Sequence, residues 1–399
     1  MTTHKHTQLF YSLYVSVLIL GFLLVPAVAK AATTNVGVWI PYWSEEAGAE
    51  NALENIKDID VVYPFVFEVT TNGIPVNKVD FDDEHWEDLF DAARERDVPI
   101  IPTIAWFDGA AMHEVLSNDS WRAIHVKLIA LYAQLYDVDG INIDYEQKLA
   151  ATKDDFSTFL EELNTALGDK TLTCTVEARM RPERRYRDVP DTIEYANDYE
   201  AMNKHCDWIE IMAYDQQRAD IILNTERQGV PYMPVADIDW VEDVVELALE
   251  DFDADKVMLG VATYGRAWDV TVAADWYKDY TKVATLNNPR IQELSEKYDS
   301  PIGRSEGGEA VISYFPEDSV WKIFNQLPTP EGTPKGYEAA AKALMVATVA
   351  DVEIPVRFIT WSDTQSIEDK VELAEEYGLK GVAVFKVDGE EDDEMWKHF

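Results

Sequence analysis

The chain has 399 residues, 47% hydrophobic and 12% aromatic, so it can bury the core of one large domain or two ordinary ones. Its 18 glycines and 17 prolines are near the usual share, which excludes collagen-like and largely disordered classes. The formal net charge of −41 at pH 7 argues against partners such as nucleic acid or anionic lipid.

The N-terminus has the pattern of an export signal. Lys5 precedes an apolar stretch at 9–28, and Ala29-Lys30-Ala31 then supplies a small-x-small cleavage pattern. We predict a signal peptide at 1–31. The alternative is an uncleaved N-terminal anchor, because the apolar stretch is long enough to span a membrane. The expected product is a monomer, secreted to the extracellular space or the cell envelope.

After residue 35, short apolar runs alternate with amphipathic stretches. The apolar runs predict strands at 36–41, 61–69, 100–106, 140–144, 172–177, 208–214, 257–263 and 381–387. The amphipathic stretches predict helices at 85–96, 123–136, 154–167, 239–250 and 367–377. Eight strands alternating with helices predict an α/β fold, a (β/α)8 TIM barrel within 32–399. Active residues are then expected at the carboxyl ends of the strands.

A long interval between the seventh strand and the last helix breaks this alternation. It contains strand-like runs at 310–315 and 357–361 and helical stretches at 288–298 and 337–348. Because a structureless loop of that length is improbable, we predict a small α+β insertion after strand 7, at about 270–356. It would pack beside the barrel mouth and deepen a groove.

The chain has two cysteines, Cys174 and Cys206. Both lie in or next to predicted strands, so we expect two buried free thiols. A single disulfide is the alternative in an oxidising compartment. The cysteine and histidine spacing does not suggest zinc, and we expect no metal.

The segment 139–146 places polar groups at every second position of an apolar run. Alternation puts Asn142, Asp144 and Glu146 on one face of a strand. The Cα atoms of Asp144 and Glu146 would be ~6.6 Å apart, so their carboxyl groups can meet. A neighbouring negative charge raises the pKa of one carboxyl, which can then act as a general acid at neutral pH. The alternative is a structural carboxylate pair at a strand end.

This segment resembles the signature of glycoside hydrolase family 18, the chitinase-like family. The signature Asp-x-x-Asp-x-Asp-x-Glu lies on the fourth barrel strand and appears here as Asp139, Asn142, Asp144 and Glu146. Asp139 has the opposite parity, and we assign it a structural role at the strand start. Asn142 replaces the middle aspartate, as in family members that resemble spore-germination and cortex-lytic enzymes and cleave at N-acetylglucosamine in peptidoglycan.

Further segments resemble the same family in the same order. Met-x-Tyr-Asp on the sixth strand matches 212–215, and Gly-x-x-x-Tyr-Gly-Arg on the seventh matches 260–266. The stretch 366–388 is similar to the last helix and strand of the family. There Phe385 stands where chitinases usually carry a tryptophan under the sugar, and a phenyl ring offers less stacking area. The resemblance covers the whole mature chain.

The resemblance implies a retaining mechanism in which the substrate's own 2-acetamido oxygen attacks the anomeric carbon. Glu146 would protonate the leaving oxygen and then activate water. Asp144 would bind the acetamido N–H and stabilise the positive intermediate, and Tyr214 would hold the acetamido oxygen. Asp215 would contact sugar hydroxyls or tune the acid, and Asn142 would support Asp144.

The remaining substrate contacts are aromatic or basic residues at strand ends. We propose Tyr42, Trp106 and Phe385 as sugar platforms, with packing in the barrel-top core as the alternative. Tyr264 and Arg266 would touch substrate in the groove, or the arginine would form a structural ion pair. By contrast, we assign Trp43, Phe65 and Phe67 to the core; Glu177 ends the fifth strand, where it could border the site.

The function that follows is secreted hydrolysis of β-linked N-acetylglucosamine polymers, with peptidoglycan ahead of chitin. The partner would be a polysaccharide or oligosaccharide substrate, and no cofactor is implied because the substrate supplies the nucleophile. One alternative is a carbohydrate-binding barrel that does not hydrolyse its ligand. The two departures at Asn142 and Phe385 leave it open, although the retained Glu146 argues against it. Another is transglycosylation, since a sugar can intercept the same intermediate.

Overall fold

The computed structural model describes residues 34–399, and the predicted signal peptide or anchor at 1–31 lies outside the described residues. These residues form fourteen strands: β1 (Asn35–Pro41), β2 (Val61–Val69), β3 (Pro75–Asn77), β4 (Thr103–Trp106), β5 (Gly140–Tyr145), β6 (Thr171–Glu177), β7 (Trp208–Met212), β8 (Val257–Ala262), β9 (Tyr264–Ala273), β10 (Trp276–Asn287), β11 (Gly303–Arg304), β12 (Ala310–Tyr314), β13 (Ile354–Trp361) and β14 (Gly381–Phe385).

The described α-helices are α1 (Glu45–Glu54), α2 (Glu84–Glu95), α3 (Gly109–Leu116), α4 (Asp119–Leu135), α5 (Lys153–Leu167), α6 (Pro182–Arg185), α7 (Tyr199–His205), α8 (Ile221–Glu226), α9 (Ile238–Ala248), α10 (Asn288–Lys297), α11 (Glu338–Ala350) and α12 (Thr364–Glu376). The long barrel helices bury one apolar face, as Trp86, Leu89 and Phe90 of α2 do. None of the helices within 34–399 is both long enough and apolar enough to cross a membrane.

Eight parallel strands close into a barrel, which confirms the predicted fold. The order is β1, β2, β4, β5, β6, β7, β8 and β14, and β1 pairs with both β14 and β2. Most predicted strands agree with the structure to within two residues. The exception is β4, whose start differs from the prediction by three residues. It begins at Thr103, because Ile100 makes only an isolated bridge to Val62.

A five-stranded antiparallel sheet in the order β10-β9-β13-β12-β11 follows the seventh barrel strand. It runs from Tyr264 to Trp361, so the insertion is longer than the predicted 270–356. The difference comes from the first residues of β9 and the last residues of β13. Helix α11 packs on this sheet through its alanine face, with Ala340 and Ala343 against Val270 and Phe358 in one buried cluster.

The expectation of two free thiols is wrong, because Cys174 and Cys206 form a disulfide. Cys174 lies in β6, and Cys206 ends α7 immediately before β7. Since β6 and β7 are neighbours in the barrel, the two Cα atoms lie 6.1 Å apart despite a separation of 32 residues. The bond therefore closes a loop that runs from the middle of β6 through α6 and α7 to the residue after α7.

Buried polar side chains join the insertion to the barrel. Glu309, just before β12, is fully buried and accepts hydrogen bonds from the backbone N–H groups of Val235 (2.9 Å) and Ala236 (2.8 Å). Lys370 of α12 is also buried and donates to Ser366 O at 3.0 Å. Burial raises the pKa of Glu309 to about 7, and the charge of Lys370 opposes that rise.

Candidate active site

A cavity of about 290 Å³ opens at the carboxyl ends of the barrel strands. Its wall contains residues of six barrel strands, of the loops that follow several strands, and of β9 and β10 in the insertion. They are Trp39, Trp43, Phe65, Glu68, Phe107, Asp144, Glu146, Thr175, Met212, Tyr214, Asp215, Tyr264, Arg266, Thr285, Phe385 and Lys386. The cavity therefore includes Asp144, Glu146, Tyr214, Asp215, Tyr264, Arg266 and Phe385 from the predicted set.

The two carboxyl groups of the motif lie at the end of β5. Asp144 is 5% exposed and faces the barrel interior, whereas Glu146 follows the strand and is half-buried. Burial, then the charge of Glu146, raises the pKa of Asp144 well above its ordinary value. Burial, then the charge of Glu177, raises the pKa of Glu146. Such a pair favours keeping at least one proton at mildly acidic pH.

A buried lysine, absent from the sequence prediction, stands beside this pair. Lys148 Nζ donates to Tyr145 O, lies 3.8 Å from Glu177 and stacks 4.8 Å from the ring of Phe156. Burial lowers the pKa of Lys148, while its positive charge lowers the pKa of both Asp144 and Glu146. The sequence signal for this residue was a lysine two positions after Glu146. Glu177 is not part of the cavity wall, and it accepts from the backbone N–H of Gln147 at 3.2 Å.

Asn142 lies below Asp144 but does not support it as we expected. Its Nδ2 donates to Thr173 Oγ1 (2.8 Å) and Glu210 Oε2 (2.9 Å), and its Oδ1 accepts from Thr175 Oγ1 (3.1 Å). Both amide hydrogens are thus committed to neighbours other than Asp144. No described residue donates a hydrogen bond to the buried Oδ1 of Asp144.

The partner of Asn142 is a second buried carboxyl, which was not among the residues predicted from the sequence. Glu210 of β7 is fully buried and accepts from Tyr63 Oη at 2.7 Å, and Trp208 Nε1 donates to that hydroxyl at 2.9 Å. Burial raises the pKa of Glu210 to about 7, although its hydrogen bonds oppose the rise. The only sequence signal was an acidic residue within the apolar run of β7.

Aromatic rings form one side of the cavity. Tyr214 and Phe385 stack with centroids 5.8 Å apart and an interplanar angle of 17°. A Cβ at Gly260 would lie 2.4 Å from Ile211 O and 3.0 Å from the Tyr214 ring, so only glycine allows this approach. Burial raises the pKa of Tyr214 well above its ordinary value, so its hydroxyl stays protonated.

Trp106 does not lie at the cavity, which corrects its assignment as a sugar platform. It is 1% exposed and packs against Tyr145 and His125, with centroids 5.4 Å away in both cases. In the β4–β5 register Ala105 pairs with Asp144 and Trp106 with Tyr145, so Trp106 shares the outward face. Alternation along β4 therefore directs its ring to the helix layer.

The other aromatic predictions divide between the cavity, a neighbouring groove and the core. Tyr42 lines an adjacent groove and donates to Glu68 Oε1 at 3.0 Å. Trp43 and Phe65, which we assigned to the core, line the cavity, and Trp43 is 50% exposed. Phe67 belongs to the main core as expected.

Asp215 and Arg266 form an ion pair at the cavity mouth. Arg266 Nε donates to Asp215 Oδ1 at 2.9 Å, and Nη2 reaches Oδ2 at 2.6 Å. The guanidinium also lies 4.7 Å from the ring of Tyr264. Of the two roles considered for Arg266, the ion pair is the one present, and it fixes the orientation of Asp215.

Within residues 34–399, Glu45, Asp83 and His85 are the group with metal-like spacing, since one ligand atom of each lies within 4.8 Å of the others. They border the groove next to the cavity and do not reach it. Glu45 Oε2 already accepts from Trp86 Nε1 at 3.0 Å and lies 3.8 Å from His85 Nε2. The arrangement suits an ion pair between Glu45 and a protonated His85. Asp144 and Glu146 are not among the residues that line this groove.

Residues 38–390 match the family described as glycosyl hydrolases family 18. The uncharacterized glycosylase YvbX of Bacillus subtilis is 21% identical over 73% of this chain and 69% of its own length. The cortical fragment-lytic enzyme of Bacillus anthracis is 21% identical over 64% of this chain and 47% of its own length. The chain thus spans about two thirds of one relative and about half of the other.

The fold is similar to that of a solved chitinase from Chromobacterium violaceum. The two structures superpose with a TM-score of 0.65 over 92% of this chain and 97% of the chitinase, at 21% identity.

Proposed function

The chain belongs to glycosyl hydrolase family 18 and is a glycosidase, and from this premise we propose that it cleaves β-linked N-acetylglucosamine glycans with retention of configuration. The resemblance to a cortical fragment-lytic enzyme and to a chitinase supports a glycan of the peptidoglycan or chitin type. The observation that carries the proposal is the position of Glu146 and Asp144, which share the wall of an open cavity with Tyr214.

Glu146 is the proposed general acid. Its carboxyl is half-buried, and burial together with the charge of Glu177 favours its protonated form. In the first step the acetamido oxygen of the substrate forms a bond to the anomeric carbon as the glycosidic C–O bond breaks. The proton of Glu146 passes to the leaving oxygen, so a neutral alcohol departs.

Asp144 and Tyr214 would bind the acetamido group during this step. Asp144 Oδ1 is buried and lacks a donor among the described residues, so an acetamido N–H would satisfy it. A protonated Tyr214 hydroxyl would donate to the acetamido oxygen. In the second step water attacks the anomeric carbon from the opposite face, Glu146 takes its proton, and the acetamido group is released. Two inversions give net retention.

The test compares the mature protein with Glu146→Gln on acetylated glucosamine oligomers and on purified cell-wall sacculi. We expect Glu146→Gln to lose at least about 100-fold in turnover, since it removes the general acid. Glu95→Gln, an exposed change at the far end of α2, is the matched control and should keep its activity. NMR of the first product should show the β-anomer.

Each alternative has its own outcome in this experiment. Equal and negligible turnover by the mature protein and Glu146→Gln would contradict the hydrolase proposal. Binding of oligomers without turnover would then favour the carbohydrate-binding barrel. Products longer than the substrate would show that a sugar intercepts the intermediate.

We also propose that the protein works outside the cytoplasm. The Cys174–Cys206 disulfide supports this, because disulfides persist in oxidising compartments. Fractionation of cells that express the whole chain, with N-terminal sequencing of the product, is the test. A soluble protein starting near residue 32 would support cleavage, and a membrane-bound protein starting at residue 1 would support the anchor.

A further inference from the structure

Arginines without a carboxylate partner are concentrated at one side of the barrel mouth. Nine arginines of residues 34–399 form ion pairs. Those without one are Arg96, Arg179, Arg185, Arg187 and Arg218. Four of these five lie in the segments that follow β6 and β7, at the carboxyl end of the barrel. The same segments also carry acidic side chains, so any positive surface is confined to places where unpaired arginines meet.

The four arginines line two separate cavities in pairs, Arg179 with Arg185 and Arg187 with Arg218. Arg179 is used internally, because it donates to Asn197 O at 2.8 Å and stacks between two tyrosine rings. Arg185, which lines the same cavity as Arg179, is exposed beside the ring of Tyr186. Arg187 and Arg218 both line a cavity of about 570 Å³, where Asp275 is the single lining acid. Its volume is within the range of small-molecule sites.

The shared cavity also has an aromatic wall. Trp276 is 58% exposed, and the guanidinium of Arg218 lies 5.3 Å from the ring of Tyr280. Tyr280 Oη accepts from the backbone N–H of Tyr232 at 3.1 Å, which fixes its ring. An exposed indole beside two guanidinium groups combines a surface that stacks on a sugar with donors that suit a carboxylate.

Two chain segments connect this cavity to the candidate active site. Arg218 follows Asp215 of the active-site wall by three residues. Strand β10 contributes Thr285 to the active site and Tyr280 to the second cavity. Five strand residues span about 16 Å, which is within reach of a short oligosaccharide held at both places.

We propose that Arg187 and Arg218 bind a carboxylate carried by the glycan substrate, so that the enzyme prefers acidic, carboxylate-substituted amino-sugar chains over neutral ones. This inference rests on the proposed function, because it names the substrate class of the same site. The carboxylate could belong to a lactyl ether on the sugar or to a peptide attached to it.

The test measures binding in the Glu146→Gln background, where turnover does not interfere. The probes have equal length: oligomers of N-acetylglucosamine and N-acetylmuramic acid without peptide, the same oligomers with peptide, and neutral N-acetylglucosamine oligomers. Arg187→Gln with Arg218→Gln should lower the affinity for the acidic probes relative to the neutral probe about tenfold, since two charge-assisted hydrogen bonds are lost. A loss confined to the peptide-bearing probe would assign the carboxylate to the peptide.

Arg94→Gln with Arg96→Gln is the matched control, because it removes the same charge at the last turn of α2, at the other end of the barrel. Its affinity ratio should not change. An unchanged ratio in the Arg187/Arg218 variant, with an unchanged melting temperature, would reject the proposed carboxylate site. Turnover of the neutral oligomer by the unaltered protein is measured in parallel. Turnover with an unchanged ratio rejects the carboxylate site alone, whereas a changed ratio without turnover rejects the hydrolase proposal alone.

Discussion

Glu210 is the buried residue through which the barrel interior affects the charge of the active site. Burial is the main cause of the raised pKa of Asp144, and the negative charges of Glu146, Glu177 and Glu210 add to it. Lys148 acts in the opposite direction. Asn142 links the two carboxyl groups, since it donates to Glu210 and precedes Asp144 by two residues on the same strand. Ionisation of Asp144 therefore depends on side chains that never touch the substrate.

Glu210→Gln should shift the pH dependence of kcat/KM to lower pH. Near and above its pKa of about 7, Glu210 carries a negative charge that raises the pKa of Asp144. The substitution removes that charge, so the upper part of the acidic limb moves to lower pH. Thr173→Val is the control, because it removes a hydrogen bond of Asn142 without changing charge. A profile of Glu210→Gln that overlays that of the unaltered protein would contradict the coupling.

Lys148→Met should shift the same profile in the opposite direction. Loss of the buried positive charge removes a lowering effect on the pKa of both Asp144 and Glu146. The acidic limb is then expected at higher pH. Measuring both variants together tests the sign of each effect, and shifts in the same direction would show that structural damage, not charge, is responsible.

Phe385→Ala and Trp106→Ala should separate substrate binding from stability. Phe385 lines the cavity, so its loss should lower kcat/KM at least fivefold while the fold persists. Trp106 is fully buried away from the cavity, so its truncation should cost about 3–5 kcal/mol of unfolding free energy. Denaturant unfolding and initial rates measure the two effects. A drop in turnover by Trp106→Ala, in protein that remains as stable as the parent, would restore it as a sugar platform.

At the scale of elements, the disulfide is the strongest constraint that the sequence left open. It ties β6 to the start of β7 through a loop of 32 residues. Closing a loop of that length restricts the unfolded chain and is worth about 3–4 kcal/mol in the chain-entropy estimate. Cys174→Ser with Cys206→Ser should lower the free energy of unfolding by about that amount. Denaturant titration of the variant and of the oxidised parent measures the loss, with the reduced parent as a reference. Equal midpoints for the variant and the oxidised parent would contradict the estimate.

The strands of the barrel were predictable because each has an apolar run bounded by turn residues. The direction of Trp106 was not, since β4 is apolar on both faces and its parity follows from pairing with β5. The hairpin of β9 and β10 was missed because its polar, solvent-facing strand β10 lacks an apolar run. The pairing of Cys174 with Cys206 depends on which strands are neighbours, which only the closed barrel determines.

The candidate site shows the same division between local and long-range information. Asp144 and Glu146 are fixed by the parity of one strand, so a local pattern located them. Glu210 and Lys148 acquire their importance from burial among residues distant in sequence, and a single-sequence pattern contains no measure of that burial. The ion pair of Asp215 and Arg266 joins residues 51 positions apart, so the sequence could name both but not their contact.

At the scale of the whole molecule, charge and burial together make the fold most stable at mildly acidic pH. Glu210, Glu309 and Glu391 are buried, and burial raises the pKa of each to about 7 from an ordinary value of 4.5. A raised pKa in the folded state favours folding below pH 4.5, and that contribution is lost as pH rises toward 7. Repulsion within a chain of net charge −41 acts in the same direction.

The melting temperature should therefore fall as pH rises from 5 to 8. Each buried glutamate contributes on the order of 3 kcal/mol to this dependence. Two other carboxyl groups act in the opposite direction. Hydrogen bonds from Lys78 and from the Ala201 N–H lower the pKa of Glu68 and of Asp198, respectively. Their contribution to stability is lost only below about pH 4.5, outside the range of this prediction. Scanning calorimetry from pH 5 to 8 measures the slope.

Glu309→Gln should flatten that slope, because a neutral amide at this position does not ionise as pH rises. The variant should lose about 1 kcal/mol at pH 5, where one of the two backbone hydrogen bonds to Val235 and Ala236 has no acceptor. At pH 8 the loss of unfolding free energy should be smaller, or become a gain, because Glu309 of the parent is then ionised where the insertion meets the barrel. Exposed Glu95→Gln, the control, should keep the parent slope, and a Glu309→Gln slope equal to the parent's would show that the joint stays uncharged throughout.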